Sequence, residues 1–130
     1  MTSRPILVGT AAAFALAGLA LLFAPDEMLQ LLGIPAPSPA ESVLAQLLGC
    51  AWIGLANGNW IARGLAVGGI HGRAIVAGNL VHATTAALVL LRHALGGAPA
   101  GVWLLLLLCA AIAVAFGWLM RHPPAPIPPA

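Results

Sequence analysis

Residues 74–91 read AIVAGNLVHATTAALVLL. No Asp, Glu, Lys or Arg interrupts these 18 residues. As a helix rising about 1.5 Å per residue, the stretch reaches roughly 27 Å, the thickness of a bilayer core. Asn79, His82, Thr84 and Thr85 fall inside it. Polar groups in hydrocarbon need internal partners, so two readings compete. They join helices by hydrogen bonds, or His82 holds a ligand.

Working outward, three more stretches have the same character: Pro5–Ala24, Ser42–Ala62 and Val102–Met120. The 130-residue chain is 62% hydrophobic and 6% charged. A soluble domain of this length carries roughly a quarter of its residues charged. The composition therefore predicts an all-α, integral membrane bundle of four transmembrane helices, in one domain. Arg4 ahead of an apolar run imitates a secretion signal. The only plausible cleavage point follows Ala24, with Leu22 three residues back and Pro25 next, so the first span is expected to be retained. All five basic residues are Arg, and they form no stripe, so nucleic acid has no footprint here.

Orientation follows from the arginines. With the N-terminus inside, Arg4, Arg63, Arg73 and Arg121 lie inside and only Arg92 outside. The positive-inside bias thus puts both termini inside. The outer connection PDEMLQLLGIPAPSPAE opens with Pro25, Asp26 and Glu27 and stops at Gly33. It predicts a short interfacial helix over about Asp26–Leu32, with a lid as the alternative role. The inner connection RGLAVGGIHGR is glycine-rich without the spacing of a phosphate loop, so a tight turn is expected. The tail from 121 to 130 is proline-rich and expected to be extended. Trp60, Trp103 and Trp118 lie near span ends, where indoles anchor to headgroups.

Helical phase sorts the polar residues. At 100° per residue, Gln46, Gly49, Cys50, Ile53, Asn57, Trp60 and Gly64 share a stripe. His71, Ile75, Asn79, His82, Ala86 and His93 share another. Asn57 lies six residues before Arg63, and Asn79 six after Arg73, which gives them one depth. The pattern predicts a polar seam of Gln46, Asn57, Asn79 and His82 with an Asn57–Asn79 hydrogen bond, Gly49 and Gly78 letting backbones approach. Asn59 falls off this stripe, on the side of Trp52. In the first span, Gly9, Ala13, Ala17, Ala20 and Ala24 form a small-residue stripe suited to packing in lipid. Ala110, Ala113 and Gly117 repeat it in the fourth, where Leu104–Leu108 is expected to face lipid.

Catalysis needs converging groups, and the spans hold no carboxylate and one deep histidine. Neither an enzyme nor a pump is expected. Cys50 and Cys109 read as apolar packing residues. As a ligand, His82 would serve a tetrapyrrole, with Gly78 clearing room for the flat ring.

The segments GLALLFAPDEMLQLLGIP, LLGCAWIGLANGNWIARG and GRAIVAGNLVH resemble small bacterial four-span membrane proteins of the DoxX-like kind. The likeness covers most of residues 9–93. Some such proteins accompany quinone-linked oxidoreductases. The resemblance implies an accessory or interaction subunit of the bacterial cytoplasmic membrane, beside other membrane subunits or as a homo-oligomer. The alternatives are a tetrapyrrole- or quinone-binding electron-transfer protein using His82, and a small-solute carrier or channel.

Overall fold

The computed structural model describes residues 3–64 and 70–122, with the side chains of Ile70 and His71 outside that description. It is all-helical there. The order is α1 (Arg4–Phe23), α2 (Pro25–Leu31), α3 (Pro39–Ala62), α4 (Ile70–Ala94) and α5 (Ala100–Arg121). Four of these helices, α1, α3, α4 and α5, are long and apolar enough to cross a membrane. The turn expected across 65–69 and the tail from 123 onward lie outside the described residues.

Local chemistry fixes the helix ends. α3 begins three residues before the apolar run because Ser38 and Glu41 close a capping box. The Ser38 N–H donates to Glu41 Oε2 at 2.7 Å, and the Glu41 N–H donates to Ser38 Oγ at 3.4 Å. Pro39 takes the first helical position, where its missing N–H costs nothing. α2 stops at Gly33, whose φ of 95° suits glycine. The Gly33 N–H donates to the Gln30 carbonyl and the Ile34 N–H to the Leu29 carbonyl, each at 3.0 Å. This pairing satisfies two orphan carbonyls, and Ile34 packs into the core that holds Leu29.

The helices associate as two tight antiparallel pairs, α1 with α3 and α4 with α5. Glycine makes the first pair possible. A Cβ on Gly18 would stand 2.8 Å from the Gly49 carbonyl oxygen, and one on Gly49 would stand 2.7 Å from that of Gly18. α1 therefore buries Leu7, Thr10, Ala11, Phe14, Gly18 and Leu21. The small-residue stripe expected to be its packing face is half-buried at Ala13, Ala17, Ala20 and Ala24, and Gly9 is exposed. One glycine facing another sets the phase, and large residues then fill the space around that contact. In α5, Ala110, Ala113 and Gly117 are half-buried, while Val102, Leu106, Cys109, Ile112, Phe116 and Leu119 form the buried face. Leu104, Leu107 and Leu108 face outward as expected, but Leu106 does not.

α2 lies over one end of the bundle. It buries Leu29 and exposes Asp26 and Glu27. The Ser42 hydroxyl on α3 donates to the Asp26 carboxylate. A Cβ on Gly101 would collide with the Leu31 carbonyl oxygen, so α2 crosses the start of α5 where only glycine fits.

Candidate functional site: two layers at a three-helix junction

α1, α3 and α4 meet in two layers. The first is polar. Asn59 Nδ2 donates to Asn79 Oδ1 at 2.9 Å, and Asn79 Nδ2 donates back to Asn59 Oδ1 at 2.7 Å. The second hydrogen on Asn59 Nδ2 goes to Thr10 Oγ1 at 3.3 Å, and that on Asn79 Nδ2 to the Ile75 carbonyl at 2.9 Å. The Thr10 hydroxyl donates into its own helix, to the Ile6 carbonyl at 2.7 Å. All four amide hydrogens have acceptors. Asn59 is 0% exposed and Asn79 2%, so the group is sealed.

Asn79 thus has an amide partner, but that partner is Asn59, not Asn57. The predicted stripe on α3 is rotated from the real one. The buried face runs through Ala45, Gly49, Trp52, Ala56, Asn59 and Ala62. Asn57, two residues from Asn59, points about 200° away and is exposed. It lies on the outer surface of the α1–α3 pair beside Ala12 and Ala15. The signal that would have found Asn59 is its spacing from Gly49 and Trp52, ten and seven residues back on one face.

The second layer, toward the α2 end, is aromatic. Phe14, Trp52 and His82 come one from each helix. Their ring centroids are 5.9 Å apart for Phe14–Trp52, 5.7 Å for Phe14–His82 and 6.4 Å for Trp52–His82. The two contacts of His82 are edge-on, an arrangement that aromatic quadrupoles favour. Trp52 Nε1 and His82 Nε2 are both buried and have no hydrogen-bond partner. Beside them is a cleft of about 350 Å³ bounded by α3, α4 and α5.

The other predicted positions are dispersed. Gln46 is half-buried near the α2 end and donates to the Leu22 carbonyl at 3.1 Å, capping the last turn of α1. It joins helices but does not belong to the asparagine group. Gly78 is exposed, with open space beside it, whereas His82 Nε2 is buried. The clearing and the nitrogen are therefore not one space. Gly49 meets Gly18, not Gly78. His93 is exposed, and the His71 side chain lies outside the described residues. Thr85 needs no outside partner, because its hydroxyl donates to the Val81 carbonyl at 2.8 Å.

Trp60, Trp103 and Trp118 are all exposed and near helix ends. The Arg63 guanidinium sits 3.9 Å over the Trp60 ring. Trp118 stacks on His122 at 4.1 Å. Cys50 is exposed and Cys109 buried, both as free thiols. Among the described residues, no three His, Cys, Asp or Glu side chains gather in a metal-binding group. No protein-family model, curated protein or solved structure matches this chain. Fold and site define a helical bundle compatible with an integral membrane protein, with a polar group whose amide hydrogens are all paired and an aromatic group with two unpaired buried nitrogens.

Proposed function

We propose that the protein is a small integral membrane subunit that works by association inside the bilayer. Large apolar side chains cover its flanks, among them Leu16 at 71%, Val114 at 73% and Leu104 at 68% exposure. In water such a surface would aggregate, while in lipid it is the ordinary outer face. The arginine distribution supports termini on the inner side, with α2 lying at the outer interface, its acids toward water and Leu29 toward the bundle. The resemblance to DoxX-like proteins points to the same accessory role.

One observation carries the reading. Asn57 presents an amide to the outside of the α1–α3 pair, within a helix apolar enough to span. An amide facing hydrocarbon draws helices together, because each hydrogen bond formed there replaces an unsatisfied group. Ala12 and Ala15 beside it allow close approach. An asparagine carries both donor and acceptor, so two copies of this face complement each other across a two-fold axis. The partner is therefore a second copy of the chain.

Energy transfer between donor- and acceptor-labelled copies in liposomes tests this. Association should fall about three- to tenfold in Asn57→Leu, while helix content and thermal stability stay unchanged. Equal association of the wild type and Asn57→Leu would remove the reading. A wild type that stays monomeric alone but pairs in its native membrane would transfer the face to a different membrane subunit.

A further inference from the structure

We infer that the groove between α4 and α5 at the arginine end of the bundle binds an anionic phospholipid, its phosphate at Arg121 and Arg73 and an acyl chain along Leu80 and Val114. This rests on the reading that the bundle spans a bilayer and is independent of the Asn57 face.

The first part of the argument is charge. The sequence holds no Asp or Glu outside residues 26–41. Those acids, Asp26, Glu27 and Glu41, lie in the first turns of α2 and α3. α5 starts beside α2, where Gly101 meets Leu31, and it ends at Arg121. At about 1.5 Å per residue, Arg121 is roughly 30 Å from that crossing. Arg4, Arg63 and Arg73 stand at the same end as Arg121, where α1 starts, α3 stops and α4 starts. Four guanidinium groups therefore gather at one end with no Asp or Glu to neutralise them. The complementary charge is an anion.

The second part is shape. A cleft of about 480 Å³ lies between α4 and α5 at this end, larger and more polar than the cleft beside the aromatic layer. Its two halves differ. Leu80 and Val114 line the half toward the bundle centre, and Trp118, Arg121 and His122 line the half at the helix end. From Val114 to His122 the lining runs about 12 Å along α5. Val114, Trp118, Arg121 and His122 are exposed, so the cleft opens on the flank and its charged end is accessible. Gly117, between the halves, leaves the floor without a side chain. Trp118 stacked on His122 makes a flat wall at the depth where indoles meet headgroups. Arg73 is exposed and seven residues before Leu80, about 20° short of two turns. It therefore lies on Leu80's face of α4, roughly 10 Å nearer the arginine end. One arginine from each helix thus flanks the mouth, and a guanidinium pairs with phosphate oxygens through two N–H groups. A groove charged at the helix end and apolar below it matches a lipid along its length, whereas a soluble phosphate leaves the apolar half empty. The arginine distribution supports an inner-leaflet position for this end, where anionic lipids gather.

The test uses the full chain with ¹⁵N-labelled indoles in phosphatidylcholine nanodiscs, with phosphatidylglycerol as the probe, raised stepwise in mole fraction. The four tryptophans give four indole N–H resonances, and Trp118→Phe and Trp60→Phe identify two of them. Trp60 is exposed at the same end but on α3, so it reports the general surface charge. The Trp118 resonance should move and saturate at a low mole fraction, while that of Trp60 follows the lipid composition without saturating. Arg121→Gln and Arg73→Gln should each weaken the lipid about fivefold. Val114→Trp, which fills the apolar half and leaves every charge in place, should abolish the saturation with the spectrum otherwise folded. Inorganic phosphate added to discs of phosphatidylcholine alone should leave Trp118 still. A Trp118 resonance that stays still with phosphatidylglycerol, merely tracks Trp60, saturates undiminished in any of the three variants, or moves with inorganic phosphate would overturn the inference. A chain that does not enter the discs would remove the membrane reading along with it.

Discussion

Two layers of side chains cross the junction of α1, α3 and α4, and they meet the cost of buried nitrogen differently. In the Thr10–Asn59–Asn79 layer every amide hydrogen has an acceptor. In the Phe14–Trp52–His82 layer two ring nitrogens have none and are sealed, although other parts of Trp52 and His82 line a cleft. Amides carry donors and acceptors together and can close on themselves, whereas an indole can only donate. The closed layer fastens the α1–α3 pair to α4. The aromatic layer leaves its two buried nitrogens unpaired. The two layers lie about one turn of α4 apart, between Asn79 and His82.

Four substitutions test this difference, in falling order of expected effect. Gly49→Val should do the most damage, because its side chain would meet the Gly18 carbonyl and part α1 from α3. A loss of about 3 kcal/mol is expected in reversible unfolding from bicelles, and both layers should fail together. Asn59→Leu should follow, at about 2 kcal/mol, since it strands the Asn79 amide in a sealed site. His82→Leu should change stability by less than about 1 kcal/mol, because it removes a nitrogen that has no partner to lose. A loss as large as that of Asn59→Leu would mean that the aromatic layer is structural. Asn57→Leu should leave stability within about 0.5 kcal/mol, as expected for an exposed position.

The same contrast explains what was legible in the sequence. Four long helices followed from composition, because an uncharged run of this length has few other uses. The short helix was readable from Pro25, Asp26–Glu27 and Gly33, and it spans Pro25–Leu31 against an expected Asp26–Leu32. Helical phase was harder. Soluble helices show their buried face by hydrophobic contrast, but here the buried and outward faces are both apolar. Close approach sets the phase instead, and no residue of α3 advertises that Gly49 meets Gly18. Asn57 and Asn59 are equally polar and, two residues apart, lie at nearly the same depth. His82 was legible as unusual. Its neighbours Phe14 and Trp52 were not, because aromatic residues in an apolar run carry no mark of what they surround.

A pair of double-mutant cycles tests the central claim, that the polar layer is closed through Asn59 and not Asn57. Unfolding free energies are needed for Asn59→Leu, Asn79→Leu and the double mutant, and for the parallel set with Asn57→Leu. The Asn59–Asn79 cycle should show a coupling of about 0.6–2 kcal/mol, with the double mutant less damaged than the sum of the singles. The Asn57–Asn79 cycle should be additive within about 0.3 kcal/mol. Additivity in the first cycle, or coupling in the second, would contradict the account.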